Sequence, residues 1–155
     1  MKALEINKIE QINIEVSGVC NLKCPMCPQF FGREKDFLKM TDKDLIISVI
    51  DQAIPLGLKY VNFGGGGEPL LYKDLPEIIS YLDQKNIKTL IYTNGTKLTQ
   101  KLFHILCQSG LSICKVSLHG WDRESFAHSM SKDYFNEVRD TLVECKQIIK
   151  ENNYK

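Results

Sequence analysis

Three thiols within eight positions are the first chemistry the chain offers. In the stretch "SGVCNLKCPMCPQF", residues 17 to 30, they are Cys20, Cys24 and Cys27. The C-x3-C-x2-C spacing lets one loop bring three sulfurs to a single point. Pro25 and Pro28 keep the segment out of regular helix, so it can wrap around what it binds. Zinc would need a fourth ligand, from His104, His119, His128 or a distant cysteine, and structural zinc sites come more often as two close pairs. A [4Fe–4S] cluster held by three thiolates would leave one iron open, and an open position is what separates catalytic metal sites from structural ones. On the triplet alone both readings stand. Three buried, unligated thiols fit the tight, proline-bracketed spacing less well.

A second unusual stretch is "FGGGGEPLLYKDLP", residues 63 to 76. Consecutive glycines let backbone approach a ligand closely and take positive φ, at a cost in stability unless they are used. No Gly-Lys-Ser/Thr follows, so this is not a P-loop, and the spacing is wrong for a dinucleotide fingerprint. Glu68 would repel a phosphate. Backbone carbonyls beside a carboxylate suit a cationic group such as an ammonium. A flexible turn is the plainer reading of the same residues.

The elements that must position these loops follow from periodicity. Residues 11–16, "QINIEV", read as a strand with Ile12, Ile14 and Val16 on one side. In "MTDKDLIISVIDQAIPLG" a helix carries Leu45, Ile46, Val49, Ile50 and Ala53, with Thr41 as N-cap and Pro55 and Gly57 as its end. Strands are expected at 59–63, 87–92 and 113–118. Helices are expected through Leu75, Ile78, Ile79 and Leu82, through "KLTQKLFHILCQSG" ending at Gly110, and over 133–150 with Phe135, Val138, Leu142, Cys145 and Ile149 in a stripe. The order β-α-β-α-β-α-β-α implies right-handed crossovers onto a parallel sheet, hence an α/β fold. The cysteine loop, the glycine run, "TNGT" and "HGWD" each follow a strand, so all lie at the carboxyl ends of the sheet, where such folds place their sites.

Composition sets outer bounds. A length of 155 residues suits one domain, 1–155, and no linker or repeat divides it. A net charge of +1 gives no electrostatic case for nucleic acid or for an anionic membrane. The N-terminus lacks the apolar run of a secretory signal, and no stretch approaches a spanning helix. A reducing, cytoplasmic setting is the expectation, in which six cysteines are metal-binding, catalytic or buried rather than paired.

Taken in order, "CNLKCPMC", "GGGEPLL", "YTNGT" and "VSLHG" resemble the radical S-adenosylmethionine superfamily, in the branch of molybdenum-cofactor biosynthesis enzymes and peptide maturases. The likeness runs from about Ile12 to Met130. It implies that Cys20, Cys24 and Cys27 ligate three irons of a [4Fe–4S] cluster and that S-adenosylmethionine chelates the fourth. It further implies that Met26 contacts the adenine. Gly66, Gly67 and Glu68, with Gly65 leading into them, would receive the methionine ammonium, and Asn94 and Ser117 would touch the methionine or ribose. The implied chemistry is reductive cleavage of the sulfonium by an electron from a flavodoxin- or ferredoxin-like donor. The resulting 5′-deoxyadenosyl radical abstracts hydrogen from a peptide or small-molecule substrate.

The chain departs from the family pattern in two ways. Gly64 and Gly65 stand where a Thr or Ser usually precedes two glycines, which predicts a longer or looser loop. Four βα units are present where the family core has six, so a partial barrel is expected. A truncated product, a partner chain or self-association at the open sheet edge then becomes the expectation. The competing reading is a non-catalytic zinc- or cluster-binding scaffold. Among the remaining residues, Cys107, Cys114 and Cys145 read as buried thiols and His104 as structural. Tyr92 reads as packing at a strand end, while His119, Trp121 and Arg123 sit at the mouth of the site or on a surface loop.

Overall fold

The computed structural model describes residues 8–28, 32 and 37–154. Gln29 and Phe30, at the end of the cysteine stretch, lie outside them. Four strands form one sheet: β1 Gln11–Ile14, β2 Tyr60–Phe63, β3 Lys88–Thr93 and β4 Ile113–Val116. All are parallel and stand side by side in chain order, with Ile14 opposite Phe63, Phe63 opposite Ile91, and Thr93 opposite Val116. An order without a switch point is the progression of a βα barrel rather than of a doubly wound sheet. The strand ends differ from expectation at the site: β1 and β4 stop two residues before 16 and 118.

The helices are α1 Lys43–Ala53, α2 Leu75–Gln84, α3 Gln100–Gln108, α4 Arg123–Met130 and α5 Phe135–Glu151. Helices α1, α2, α3 and α5 cover one face of the sheet, and α4 packs on α5 beside the cysteine loop. Val61, Phe63, Thr89 and Ile91 point into that face and are buried against Ile46, Ile50, Leu75, Ile79, Leu82 and Leu106. The strand residues of opposite parity point away from the helices. Tyr60, Tyr92 and Ile113 are 49%, 44% and 49% exposed, and Asn62 Nδ2 donates to Asn13 Oδ1 across the β1–β2 pair at 2.8 Å. The sheet therefore has a packed apolar face and an open polar one.

Three local expectations are corrected. Asp42, not Thr41, caps α1 by accepting from Leu45 N at 3.0 Å. Thr41 instead donates its hydroxyl to Glu15 O at 2.7 Å. Leu45 and Val49, read as part of the inward stripe, are 57% and 42% exposed, so α1 buries a narrower face. Helix α4 lies between the expected elements, where sequence periodicity assigns none. Its N-cap is Asp122, which accepts from Ser125 N at 2.8 Å while Ser125 Oγ accepts from Asp122 N. Eight residues with only Phe126 and Met130 buried carry too little apolar period to stand out.

Among the described residues, no helix is long and apolar enough to cross a membrane.

Candidate functional site

The cysteine loop leaves β1 and returns to α1 through a narrow neck. Thr41 N donates to Val16 O at 3.0 Å and Gly18 N to Lys39 O at 2.9 Å, with an antiparallel bridge between Ser17 and Met40. Inside the loop Ser17 Oγ donates to Val19 O and accepts from Val19 N. The turn at Pro25 is closed by Cys27 N donating to Cys24 O at 2.9 Å. Cys20, Cys24 and Cys27 are all half-buried and unpaired by disulfide. Burial pushes the Cys20 and Cys24 thiols above 9.0. At Cys24 the neighbouring Cys20 and Cys27 add to the rise.

Three other segments hold this loop. The glycine run comes first, and each of its constraints is specific. A Cβ on Gly67 would lie 1.8 Å from Ser17 O and 2.8 Å from Val19 O, so only glycine lets the two loops touch. The next residue ties them, with Glu68 N donating to Val19 O at 2.9 Å. Gly65 has φ +141, and its missing Cβ makes room for the Glu15 carboxylate, which accepts from Gly66 N. The run is therefore fitted to its neighbours rather than loose.

Glu68 itself is 2% exposed. Its carboxylate accepts from Thr93 Oγ1 at 2.6 Å, Asn94 N at 2.8 Å and Leu70 N at 2.9 Å. Burial raises its pKa, and these three donors oppose the rise. The side chain expected to meet an ammonium thus also fastens the glycine run to the end of β3, and it raises the Cys20 thiol through its charge.

The β3 loop is the second clamp. Asn94 Nδ2 donates to Asn21 Oδ1 at 3.1 Å and reaches Cys20 Sγ at 3.7 Å. Asn94 Oδ1 accepts from Thr96 N at 2.9 Å and Thr96 Oγ1 at 2.7 Å, and Asn21 Nδ2 donates to that same Oγ1 at 2.7 Å. The third clamp is α4. Lys23 N donates to Ser131 Oγ at 3.0 Å, and Cys24 Sγ contacts Met130 O at 3.6 Å. Leu22, Phe126, Met130 and Val138 form a second small core against which Cys20 and Cys24 pack. Burying a side chain the size of Phe126 contributes about 2 kcal/mol. The helix that sequence periodicity did not reveal thus carries the floor of the cysteine loop. Its one readable signal was an Asp three residues before a Ser at 122–125.

Other expected residues fall into place around this centre. Met26 is 56% exposed and borders a groove of about 680 Å3 shared with His119, Trp121, Glu124 and His128. Ser117, just beyond β4, is half-buried, and its N donates to Thr93 O at 2.8 Å. Trp121 is 85% exposed, and Arg123 is an ion-pair partner of Asp133 at 2.7 Å. His104 meets Tyr154 Oη at 3.3 Å, away from the site. Tyr92 is the penultimate residue of β3, so it stands at a strand end as expected. It lies on the open face over Gly64, whose Cβ would stand 3.0 Å from Tyr92 Cβ, with Lys115 Nζ 5.2 Å from its ring centroid.

Residues 14–154 match the family model described as the Radical SAM superfamily. The chain belongs to that superfamily. A probable GTP 3′,8-cyclase of Methanococcus maripaludis is 34% identical over 115 residues, which are 74% of this chain and 38% of that protein. An Fe-coproporphyrin III synthase of Methanosarcina barkeri is 36% identical over 130 residues, 83% of this chain and 32% of that one. The chain thus spans well under half the length of these radical SAM relatives. Among solved structures it is similar to BtrN in complex with AdoMet and 2-DOIA, with a TM-score of 0.69 and 26% identity over 90% of this chain and 55% of that one. The fold is also that of anSMEcpe with bound AdoMet and a Kp18Cys peptide, with a TM-score of 0.72 and 21% identity over 88% and 40% of the two chains. These neighbours are radical SAM partial barrels, and the four-stranded parallel sheet described above is the portion this chain shares with them.

Proposed function

We propose that this chain is the core of a radical S-adenosylmethionine enzyme, in which Cys20, Cys24 and Cys27 hold a [4Fe–4S] cluster. The observation that carries the reading is the convergence of the glycine run, the β3 loop and α4 on one cysteine loop through Glu68, Asn94 and Met130. The donor set suits a cluster. Three free, half-buried thiols on one loop are the ligand type that such clusters take. A cluster takes one thiolate per iron, so its sulfur ligands stand further apart than four ligands on one zinc.

When bound, the cluster supplies the electron for reductive cleavage of S-adenosylmethionine, itself drawn from a flavodoxin- or ferredoxin-like donor. The chain's own residues then have separate tasks. Gly65, Gly66 and Gly67 present backbone at the carboxyl end of β2. The Glu68 carboxylate, held by Thr93, Asn94 and Leu70, lies beneath the run and would meet the methionine ammonium. Met26 borders the groove toward His119 and Trp121, where an adenine would lie, and Ser117 stands at the end of β4 for the ribose. The open face of the sheet, with Asn13, Asn62, Tyr92 and Lys115, offers polar groups to a peptide or small-molecule substrate. A partner chain or second copy pairs at the free edge of β4. The setting of the reaction is the cytoplasm.

Anaerobic reconstitution with iron and sulfide tests the reading. The chain should take up about four irons per molecule through its three cysteines. With dithionite and S-adenosylmethionine it should release 5′-deoxyadenosine. Uptake of zinc alone, or cluster binding only after a fourth cysteine is added, would overturn the reading. A stable cluster that never cleaves the sulfonium would leave a non-catalytic scaffold.

A further inference from the structure

The amide of Asn94 is fully engaged. Its oxygen takes two donors from Thr96, and its nitrogen serves Asn21 Oδ1 and Cys20 Sγ. Asn94 is 9% exposed and lies 74 residues from the thiol it approaches, so the contact is a product of the fold and not of local sequence. Thr96 and Asn21 together fix the amide plane, because each is bonded to the other as well as to Asn94. Of the described side-chain donors, this is the one that meets a sulfur of the triplet.

Hydrogen bonds to cluster sulfurs are one of the levers by which a protein sets a cluster's potential. One-electron reduction adds negative charge, and an N–H aimed at a ligating sulfur stabilises the more negative form. We infer that Asn94 is a positioning residue that donates a hydrogen bond to the Cys20 thiolate, raising the potential of the cluster rather than binding S-adenosylmethionine. The inference rests on the cluster reading above and assigns one of its ligands an outer partner. A donor at one corner makes the three thiolates inequivalent: Cys20 is held by an amide, whereas Cys24 faces the Met130 carbonyl and thioether.

The test is an EPR-monitored redox titration of the reconstituted chain without S-adenosylmethionine, comparing wild type with Asn94→Leu and Thr96→Val. Asn94→Leu should shift the midpoint to more negative potential. Thr96→Val, which removes the hydroxyl that helps fix the amide plane, should shift it in the same direction by less. An Asn94→Leu midpoint equal to wild type overturns the inference. So does weakened S-adenosylmethionine binding with an unchanged cofactor-free midpoint, which would return Asn94 to the cofactor. Should Asn94→Leu fail to load, wild type carrying asparagine labelled with nitrogen-15 at the amide is reduced and examined by pulsed EPR. A nitrogen-15 coupling is expected, and its absence overturns the inference. Failure of wild type to form any cluster overturns the function proposed above instead, so the two failures are distinguishable.

Discussion

Cys20, Cys24 and Cys27 sit on a loop without regular structure, whereas Cys107, Cys114 and Cys145 sit on α3, β4 and α5. Both sets are free thiols, and both are pushed upward in pKa by burial where a shift is resolved. What differs is the company. Around Cys20 the backbone at Leu22 and the Asn94 amide work against burial. At Cys114 nothing does: burial, Cys145, Cys107 and Glu68 all act in the same direction and take the thiol to about 12. Cys107 and Cys114 pack on the main apolar core, and Cys145 is part of it. Polar groups that can accompany a thiolate surround Cys20, whereas Cys114 sits as a small hydrophobe on the apolar core.

Four outcomes would break or sharpen that contrast. The largest is expected for Cys24→Ala, which should abolish cluster absorbance and 5′-deoxyadenosine release, while Cys107→Ala keeps both. Parallel losses in the two variants would erase the distinction. Next is Glu68→Ala. It orphans the Thr93 hydroxyl and the Asn94 and Leu70 N–H groups, and should cost about 3 kcal/mol in denaturant unfolding.

Smaller still is Cys145→Ala, a modest cavity in the core, expected at about 1 kcal/mol with cluster content unchanged. The smallest effect is on pH dependence. Cys114 and Cys145 have folded pKa values raised from 9.0 to about 12 and about 11. A raised folded pKa means the native state holds its proton longer, so this stabilisation is complete below 9 and is lost as pH climbs through 11 to 12. Thermal scans of the metal-free chain should show Tm falling above pH 9, with a shallower slope in Cys114→Ala.

Much of the frame was legible because burial leaves a period. Val61 and Phe63, or Leu75, Ile78, Ile79 and Leu82, repeat as a strand and a helix buried on one face must. The four loops could be placed on one end of the sheet for the same reason. Two kinds of fact were not readable. Helix α4 is short and buries only two apolar residues, so its cap signal stood alone. Period two also says that Tyr92 and Ile91 face opposite ways, but not which face the helices cover. At the site, the types of Cys20, Glu68 and Asn94 invited attention, yet their mutual contacts depend on distances across the fold. Glu68 looked like an open carboxylate and is a buried fastener. The glycine run looked loose and is fitted against Ser17 and Glu15.

The clamps on the cysteine loop all come from later in the chain: Glu68, then Asn94, then Met130. During synthesis the thiols therefore emerge before anything that shapes them. With 74 residues between Cys20 and Asn94, elongation at about 5–20 residues per second leaves a gap of roughly 4–15 s before the amide arrives. Through that interval three close thiols are exposed to oxidants and to any metal ion at hand. Loading after release would meet a finished cradle, and loading on the ribosome would meet a bare peptide.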